Sequence, residues 1–492
     1  MPPRNAARNA PKYEFRISPA AGGPAQHFYG APRPCIIARP GLPELDMEKG
    51  MLSHRVNAAA FGIIVACVMA ACAAGEDWPQ FLGPRSDGVV HDAKGLARAW
   101  PAAGPKILWQ QPVGPGYGGA AICGESVFLL DREDDKADSL RRFNLADGKE
   151  VWHYSYAAPG RTDYNGSRST PATDGDRVFG IGPFGQISAV KFSDGSLVWK
   201  KNLLADWDAN KPQWAVSTSP LLYGDYVIVM PWGKKAALVA YEKATGEVAW
   251  VTPNLKGVEE EYESPILMKF DGRDIVLALG MQGYLVGVDA QTGEQLFDHL
   301  VYPVGKSWWD VPSPLPIGDG RIFFTCGYGR GSVMLKVARL TDQEKRGQQY
   351  KVTQLWANKT MGSKCAQALL WDGYIYGNSF DVGGGLRCIT LDGQIKWDSF
   401  EGRGKNKAKF DLGYLLIADG LIYIIQGVNG KLCMAEAAPA GYKELGRVPM
   451  LAPPEAWAPL AFKDGKLVIR DMHNIFCLDV TAAGNGEADA GK

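Results

Sequence analysis

The chain is poor in histidine and has no excess charge of either sign. Its 492 residues include only six histidines, which argues against a multi-histidine metal centre. Lysine and arginine total 53, and aspartate and glutamate also total 53. A nucleic-acid-binding domain is usually basic on one face, so this balance predicts no nucleic-acid partner.

Helical periodicity is also missing, since no segment of a dozen residues repeats its apolar positions at helical spacing. Glycine (59) and proline (32) are abundant, and the hydrophobic (46%) and charged (22%) fractions are those of a globular protein. Short β-branched and aromatic runs alternate with Gly or Asp-Gly turns, a pattern typical of antiparallel hairpins. The chain is therefore predicted to be all-β.

The first 73 residues are not expected to belong to the fold. Residues 1–50 are rich in Pro, Arg and Ala without periodicity, and we interpret them as a non-structural extension. Residues 51–73 contain the unbroken small and apolar run Ala58–Ala71, a secretory signal pattern too short to span a bilayer comfortably. We predict an exported protein, periplasmic or extracellular, with its fold at 74–480 and a disordered tail at 481–492.

The end of the signal leaves two fates open. Met69-Ala70-Ala71-Cys72 resembles a lipobox, which would attach lipid at Cys72 and allow association with the outer membrane. Without lipidation the protein would be soluble after export. Export also permits disulfides, but the six later cysteines include no Cys-x-x-Cys and no adjacent pair, so pairing and free thiols both remain open.

An aromatic residue recurs along the mature chain, usually after a glycine turn, as in Asp147-Gly148-Lys149-Glu150-Val151-Trp152. Successive members are 41 to 59 residues apart, mostly the spacing of propeller blades. The aromatic positions are Trp109, Trp152, Trp199, Trp250, Phe297, Trp356 and Trp397. We predict a structural role for the tryptophans of this series, which would pack between neighbouring blades. They are Trp109, Trp152, Trp199, Trp250 and Trp397.

A second marker is a short strand after each Gly or Asp-Gly turn, and eight of these occur in phase with the aromatic positions. Eight units predict an eight-bladed β-propeller of four-stranded antiparallel blades. The strand Lys106–Gln111 precedes the first complete blade. We therefore predict that it supplies the outer strand of the last blade, Ala458–Val480, because an open array would leave unpaired sheet edges.

The segment Ala240–Trp250, with its central Thr245-Gly246, resembles the quinoprotein (PQQ-type) propeller repeat. The opening Asp77–Arg85 and the strand start Arg168–Pro171 are similar to those of exported PQQ-like propellers from planctomycete-type bacteria. A similar architecture is found in the BamB-type lipoprotein of the outer-membrane assembly machinery, which is a scaffold. The resemblance thus implies the fold and leaves the role open.

The resemblance also implies an alternative activity, that of a PQQ-dependent dehydrogenase. Those enzymes hold calcium with Glu, Asn and Asp oxygens, use an Asp as general base, and often carry a disulfide of adjacent cysteines. This chain has no adjacent cysteines and no assignable triad of that kind, and its one G-x-G-x-x-G match, Gly180–Gly185, leads into a strand rather than a helix. We expect no catalytic residue, no metal site and no cofactor, and keep PQQ with calcium as the alternative.

Residues entering the innermost strands of a propeller ring one mouth of its channel. Here these are Tyr117, Arg168, Trp214, Glu263, Asp310, Lys364, Asp411 and Trp457. The ligand-binding candidates are Arg161, Asp163, Tyr164, Arg168, Trp214, Glu263, Trp308, Trp309 and Asp310. Trp308-Trp309-Asp310 would place stacking rings beside a carboxylate.

These observations predict a monomeric, non-catalytic binding or scaffolding module. Its partner, a protein or a small molecule, is not identified by the sequence. The alternatives are a quinone-dependent dehydrogenase acting on alcohol or polymer hydroxyls and a lipid-anchored outer-membrane assembly factor.

Overall fold

The computed structural model describes residues 75–259, 262–302, 312–341, 349–379, 384–400, 410 and 412–485. Within these ranges the chain forms eight antiparallel sheets of four strands, one of them extended by a fifth, short parallel strand. The prediction of an all-β, eight-bladed propeller is confirmed. The predicted extension, signal and lipidation site lie outside the described residues, as do Trp308, Trp309, Asp310 and Asp411.

We number the blades along the chain and letter their strands a to d from the channel outward. Blades 1 and 2 comprise Ala121–Cys123, Ser126–Glu133, Ala137–Asn144 and Glu150–Ala157, then Ala172–Thr173, Arg177–Ile181, Gln186–Lys191 and Leu197–Asn202. Blades 3 and 4 comprise Leu221–Tyr223, Tyr226–Val229, Leu238–Glu242 and Val248–Thr252, then Ile266–Phe270, Arg273–Gly280, Tyr284–Asp289 and Gln295–Leu300.

Blades 5 and 6 comprise Leu315–Gly318, Arg321–Cys326, Gly331–Arg339 and Tyr350–Asn358, then Leu369–Trp371, Tyr374–Ser379, Gly385–Ile389 and Ile395–Asp398. Blades 7 and 8 comprise Leu415–Ala418, Leu421–Gln426, Lys431–Glu436 and Glu444–Pro449, then Ala461–Lys463, Lys466–Arg470, Asn474–Asp479 and the N-terminal strand Lys106–Pro112. The short helical elements are Leu203–Trp207, Met281–Gly283 and Ala482–Asn485. No helix in the described part of the chain is long and apolar enough to cross a membrane.

The two ends of the chain meet in blade 8. Strand d, Lys106–Pro112, runs antiparallel to strand c, Asn474–Asp479, so the predicted closure is confirmed. Beyond Val480, Thr481 bridges Leu96 and the short helix Ala482–Asn485 follows, while the rest of the predicted tail lies outside the described residues. The ring is thus closed by hydrogen bonds rather than by chain continuity.

Tryptophans on strands d contact the turn before strand d of the next blade. Trp109 Nε1 donates to Leu145 O at 2.8 Å, and Trp152 Nε1 donates to Phe192 O at 2.9 Å. The turn glycine lies under the ring: a Cβ added at Gly148 would stand 2.6 Å from Trp109, and the φ of this glycine is +71°. Glycine is therefore needed twice, for the left-handed backbone and for the close approach. Trp199 makes both contacts, with Lys243 O and Gly246. Trp250 lies over Gly293, and Trp397 donates to Ala438 O of the next blade.

Every strand d also carries a β-bulge at one equivalent place. The register skips the residue just before the aromatic position, as at Val151 in blade 1 and Leu108 in blade 8. The same skip occurs in the other six blades. Bulges increase local twist and protect edge strands from pairing with other chains, which matters for eight outer edges.

Blade 7 lacks its own aromatic residue and receives one from elsewhere. Gly446 lies on strand d where the other blades have tryptophan or phenylalanine, in register with Tyr423 of strand b. Trp100, from the segment before the closing strand, stacks on Tyr423 with 6.1 Å between ring centroids and covers Gly446. The N-terminal segment thus completes the blade 7 core as well as blade 8.

Candidate functional site

Strand a of each blade runs away from one end of the channel, so the residues preceding these strands meet at that end, which we call the mouth. A cavity of about 230 Å³ lies there. The described lining residues are Phe81, Tyr117, Tyr164, Arg168, Trp214, Ser217, Ser219, Tyr262, Ser264, Tyr328, Lys364, Cys365, Leu412, Tyr414, Trp457 and Pro459.

Five aromatic rings follow one another along the mouth, and we call them the aromatic arc. Trp457 stacks on Tyr117 with 5.1 Å between ring centroids, and Trp214 lies 5.2 Å from Tyr262. Tyr164 joins the pairs, edge-on at 6.5 Å from Tyr117 and 6.3 Å from Trp214. These separations are those of favourable aromatic pairs. Because the Tyr164 residue is 49% exposed, the arc offers an accessible apolar wall.

Polar contacts hold the rings of the arc in place. The Tyr117 hydroxyl donates to Glu455 Oε2 at 2.6 Å, and the backbone N–H of Trp214 donates to the Tyr262 hydroxyl at 3.2 Å. Burial, followed by the Glu455 carboxylate, raises the pKa of Tyr117 far above its usual value. This phenol therefore stays protonated and positions a ring rather than accepting a proton.

The connection between blades 1 and 2, residues 158–168, forms what we call the mouth loop. Arg168 at its end donates to Gly166 O at 2.9 Å, to Asp163 O at 2.6 Å, and to Tyr164 O and Thr162 Oγ1. Tyr164 has a φ of +55°, an uncommon conformation for a bulky residue. Arg168 thus holds the backbone that aims the Tyr164 ring at the arc.

The Arg168 charge remains at neutral pH. Burial lowers the pKa of its guanidinium to about 10. The guanidinium carbon lies 5.5 Å from the centroid of the Tyr117 ring. The positive charge of Arg168 therefore lies beside the aromatic arc in the cavity wall.

A second buried arginine supports the start of the mouth loop. Arg132 and Asp138 form an ion pair at 2.7 Å, with both side chains fully buried. Arg132 also donates to Ala158 O at 3.1 Å and to Gly160 O, and its guanidinium lies 5.1 Å from the Phe184 ring centroid. Burial raises the pKa of Asp138 to about 6, although Arg132 opposes the shift.

The ligand-binding candidates from the sequence fall into distinct places. Tyr164, Arg168 and Trp214 line the cavity. Arg161 and Asp163 lie on the exposed side of the mouth loop and are not among the lining residues. Glu263 also stands outside the lining, because it is 1% exposed and its Oε2 accepts from the backbone N–H of Tyr262. Trp308, Trp309 and Asp310 lie outside the described residues.

Sequence reasoning missed Tyr262 and Phe81. Successive residues of an extended segment point to opposite sides, so Tyr262 faces the cavity where the sequence suggested its neighbour Glu263. Phe81 belongs to the opening Asp77–Arg85 that carried the family resemblance, and that motif was the available signal. Its role depends on contacts across the whole ring, which spacing does not show.

The N-terminal segment Trp78–Val90, which we call the floor segment, contacts strands a around the channel. Trp78 exchanges two backbone hydrogen bonds with Ile122 of blade 1, at 2.9 and 2.7 Å. Gln80 Oε1 accepts from the backbone N–H of Leu222 in blade 3. Val89–Val90 pairs in parallel with strand a of blade 7. The segment thus runs along the channel-facing strands of opposite blades.

Phe81 connects the floor segment to the cavity. It packs edge-on against Tyr414 with 6.1 Å between ring centroids and clusters with Leu82 and Ile266. Because Phe81 also lines the cavity, the floor segment supplies the inner end of the site. Phe81 therefore forms part of the inner wall of the cavity, which the aromatic arc borders toward the mouth.

Small hydroxyl residues link neighbouring blades behind the arc. The backbone N–H of Gly119 donates to Thr170 Oγ1, that of Thr170 to Ser219 Oγ, and that of Ser219 to Ser264 Oγ, at 2.9 to 3.0 Å. Ser264 continues the relay to Ser313 at 2.9 Å. Blade 6 has Gln367 at this place, whose Nε2 donates to Pro314 O instead. These hydroxyl residues before strands a therefore join neighbouring blades.

The described residues do not fit a calcium–quinone site of the kind the resemblance describes. No group of three or more His, Cys, Asp or Glu that could hold a metal ion occurs among the described residues. The described cavity lining contains no carboxylate, and its one cysteine, Cys365, has no adjacent cysteine. We therefore derive no step through a quinone.

Two solved structures illustrate what the fold is similar to. BamB from Moraxella catarrhalis aligns with a TM-score of 0.52 and 12% identity, over 76% of this chain and 96% of that one. Quinohemoprotein alcohol dehydrogenase from Comamonas testosteroni aligns with a TM-score of 0.45 and 13% identity, over 82% of this chain and 80% of that one. At these identities the likeness shows the fold alone.

Comparison with curated protein sequences gave no match. A family model described as outer membrane protein assembly factor BamB matches residues 84–206 and 136–399. These overlapping ranges cover more than half of the chain. The chain therefore belongs to this PQQ-type propeller family.

Proposed function

We propose that the protein is a non-catalytic binding module whose ligand occupies the aromatic arc at the channel mouth. The observation that carries this proposal is the arc itself: five rings in contact around a cavity of about 230 Å³. Sites that enclose a drug-sized ligand measure roughly 300–1,000 Å³. This recess therefore suits one ring or side chain of a ligand that extends beyond the mouth.

Saturable binding of an uncharged aromatic probe tests the proposal. N-phenylnaphthylamine fluoresces when it enters an apolar site, and we expect one molecule to bind per chain. Trp214→Ala removes one face of the arc and should raise the Kd about tenfold, the effect of losing ~1.4 kcal/mol of contact. Fluorescence titration of both proteins measures the change.

Trp371→Ala is the matched control. Trp371 ends strand a of blade 6, at the end of the channel opposite the mouth, and is not among the lining residues. This variant should bind the probe like the wild type. Equal weakening by both substitutions, or no saturable binding to the wild type, would contradict the proposed site.

The second candidate function is that of a lipid-anchored, periplasm-facing outer-membrane assembly factor. The family description supports it, and so does the place where the chain enters the ring. Gly75 N donates to Asp464 Oδ1 at 2.6 Å, and Lys463 Nζ donates to Asp77 Oδ1 at 2.7 Å. Asp464 lies in the turn between strands a and b of blade 8, on the face opposite the mouth. Gly75 follows Cys72 by three residues in the sequence, so a lipid on Cys72 would favour an orientation with the mouth directed away from the membrane.

Fractionation of the expressed full chain tests this second candidate. We expect the wild type in the membrane pellet and Cys72→Ala in the soluble fraction, because the variant cannot carry the lipid. Cys67→Ala, within the same apolar run, is the control and should stay in the pellet. A wild type found in the soluble fraction would refute anchoring.

A further inference from the structure

We infer that the mouth cavity takes an aromatic or apolar group that carries an oxyanion. The inference rests on the proposed binding function and names the chemistry of its ligand. It follows from the sign of the charges in the cavity wall, from the partners of those charges and from the hydroxyl groups beside them.

The charged residues among the described lining are Arg168 and Lys364, both cations. They belong to the segments entering blades 2 and 6, which lie opposite each other in an eight-bladed ring. Lys364 Nζ stands 4.5 Å from the centroid of the Tyr328 ring. A ligand between them would meet positive charge on two sides and aromatic faces between.

Arg168 is partly buried and forms no ion pair among the described residues, although the Asp163 carboxylate attracts its charge from a distance. Its four hydrogen bonds go to three backbone carbonyls and one hydroxyl. Burying a charge is costly unless an opposite charge accompanies it. A bound anion would bring an opposite charge into the cavity itself, so the cavity favours anionic ligands over neutral ones of the same shape.

The neighbouring carboxylates stand behind the rings of the arc. Glu455 accepts from the Tyr117 hydroxyl at 2.6 Å, and Glu263 accepts from the backbone N–H of Tyr262 at 3.1 Å. Neither is among the residues that line the cavity. They contact the Tyr117 hydroxyl and the Tyr262 backbone, so among the described residues the charged groups that line the cavity are the two cations.

The hydroxyls in the wall also suit an acceptor. Ser219 Oγ accepts from the backbone N–H of Thr170, and Ser264 Oγ accepts from that of Ser219. A hydroxyl that accepts a hydrogen bond keeps its own proton for donation. Both serines line the cavity, so they would donate to oxygens of a carboxylate, sulfonate or phosphate.

Two dyes that differ by one charged group test the inference. Anilinonaphthalene sulfonate and N-phenylnaphthylamine share their ring system, and only the first carries an oxyanion. Lys364→Met should raise the Kd of the sulfonate about fivefold and that of the neutral dye less than about twofold, since only the sulfonate loses an opposite charge. Lys364→Gln should give the same pattern.

Lys359→Met is the matched control, because Lys359 is exposed in the same connection and does not line the cavity. It should change neither Kd. Equal effects of Lys364→Met on both dyes, or none on either, would overturn the inference. If the neutral dye still depends on Trp214, the proposed binding function survives that result. If neither dye binds, the proposed binding function is contradicted as well.

Competition separates a free acid from an acidic peptide as the source of the oxyanion. Indole-3-acetate and the end-blocked peptide Asp-Trp-Asp are tested against the bound sulfonate dye, each beside its cationic counterpart, tryptamine or Lys-Trp-Lys. Stronger displacement by either acid supports the inference and assigns the source. Equal or stronger displacement by the cations would overturn it.

Discussion

Arg132→Met should destabilise the protein by about 3–5 kcal/mol, the cost of leaving one member of a buried ion pair alone. The substitution leaves Asp138 fully buried without its partner at 2.7 Å. It also removes the donors to Ala158 O and Gly160 O at the start of the mouth loop. Urea denaturation gives the free energy of unfolding, and the loop should lose protection in hydrogen exchange.

The loss of stability caused by Arg132→Met should grow as pH rises above 6. Burial already raises the pKa of Asp138 from 3.8 to about 6 in the wild type, and loss of Arg132 raises it further. A carboxyl whose folded pKa is raised contributes stability that is present below the unfolded pKa and lost as pH rises through the folded value. The wild type completes that loss near pH 6, whereas the variant continues to lose stability at higher pH. Denaturation at pH 6 and pH 8 measures the difference.

The double variant Arg132→Met with Asp138→Leu is the control. Leucine has nearly the shape of aspartate without its charge, and replacing both members of a buried pair by apolar residues is often close to neutral. The double variant should recover most of the stability and lose the pH dependence. A double variant no more stable than Arg132→Met would show that the loop contacts, rather than the ion pair, carry the effect.

The repeat in the sequence was sufficient to predict the fold because most blades share the same local sequence pattern. A left-handed turn glycine, a bulge residue and an aromatic residue occupy fixed places, as in Gly148, Val151 and Trp152. The aromatic series had seven members for eight blades, and blade 7 was the gap. Trp100 fills that place from a distant segment, a contact that no local spacing encodes.

The site was predictable to the extent that it follows from topology. Residues preceding strands a must gather at one end of the channel, so the sequence placed Tyr117, Trp214 and Trp457 there. The sequence does not determine which of two neighbouring residues faces the cavity. It suggests Glu263, whereas Tyr262 lines the cavity in the structure. The floor segment lay beyond prediction, because its backbone pairs with blades far apart in the chain.

Ring closure depends on the noncovalent pairing of strand Lys106–Pro112 with the last blade. Trp109→Ala should weaken this closure. Trp109 is 6% exposed, donates to Leu145 O at 2.8 Å and covers Gly148 of blade 1. Removing a buried aromatic side chain costs about 3–5 kcal/mol. Here the cavity would open at the junction of blades 8 and 1, where the two ends of the chain meet.

Trp397→Ala is the matched comparison, because Trp397 is 5% exposed and donates to Ala438 O at 2.7 Å between blades 6 and 7. Its blade is built from consecutive strands, so the loss should stay local. Hydrogen exchange should therefore rise in Lys106–Pro112 and Asn474–Asp479 for Trp109→Ala only, with a free energy of unfolding no higher than that of Trp397→Ala. If both variants left the blade 8 strands equally protected, closure would not rest on this contact, and the floor segment with Trp100 would have to hold the ring by itself.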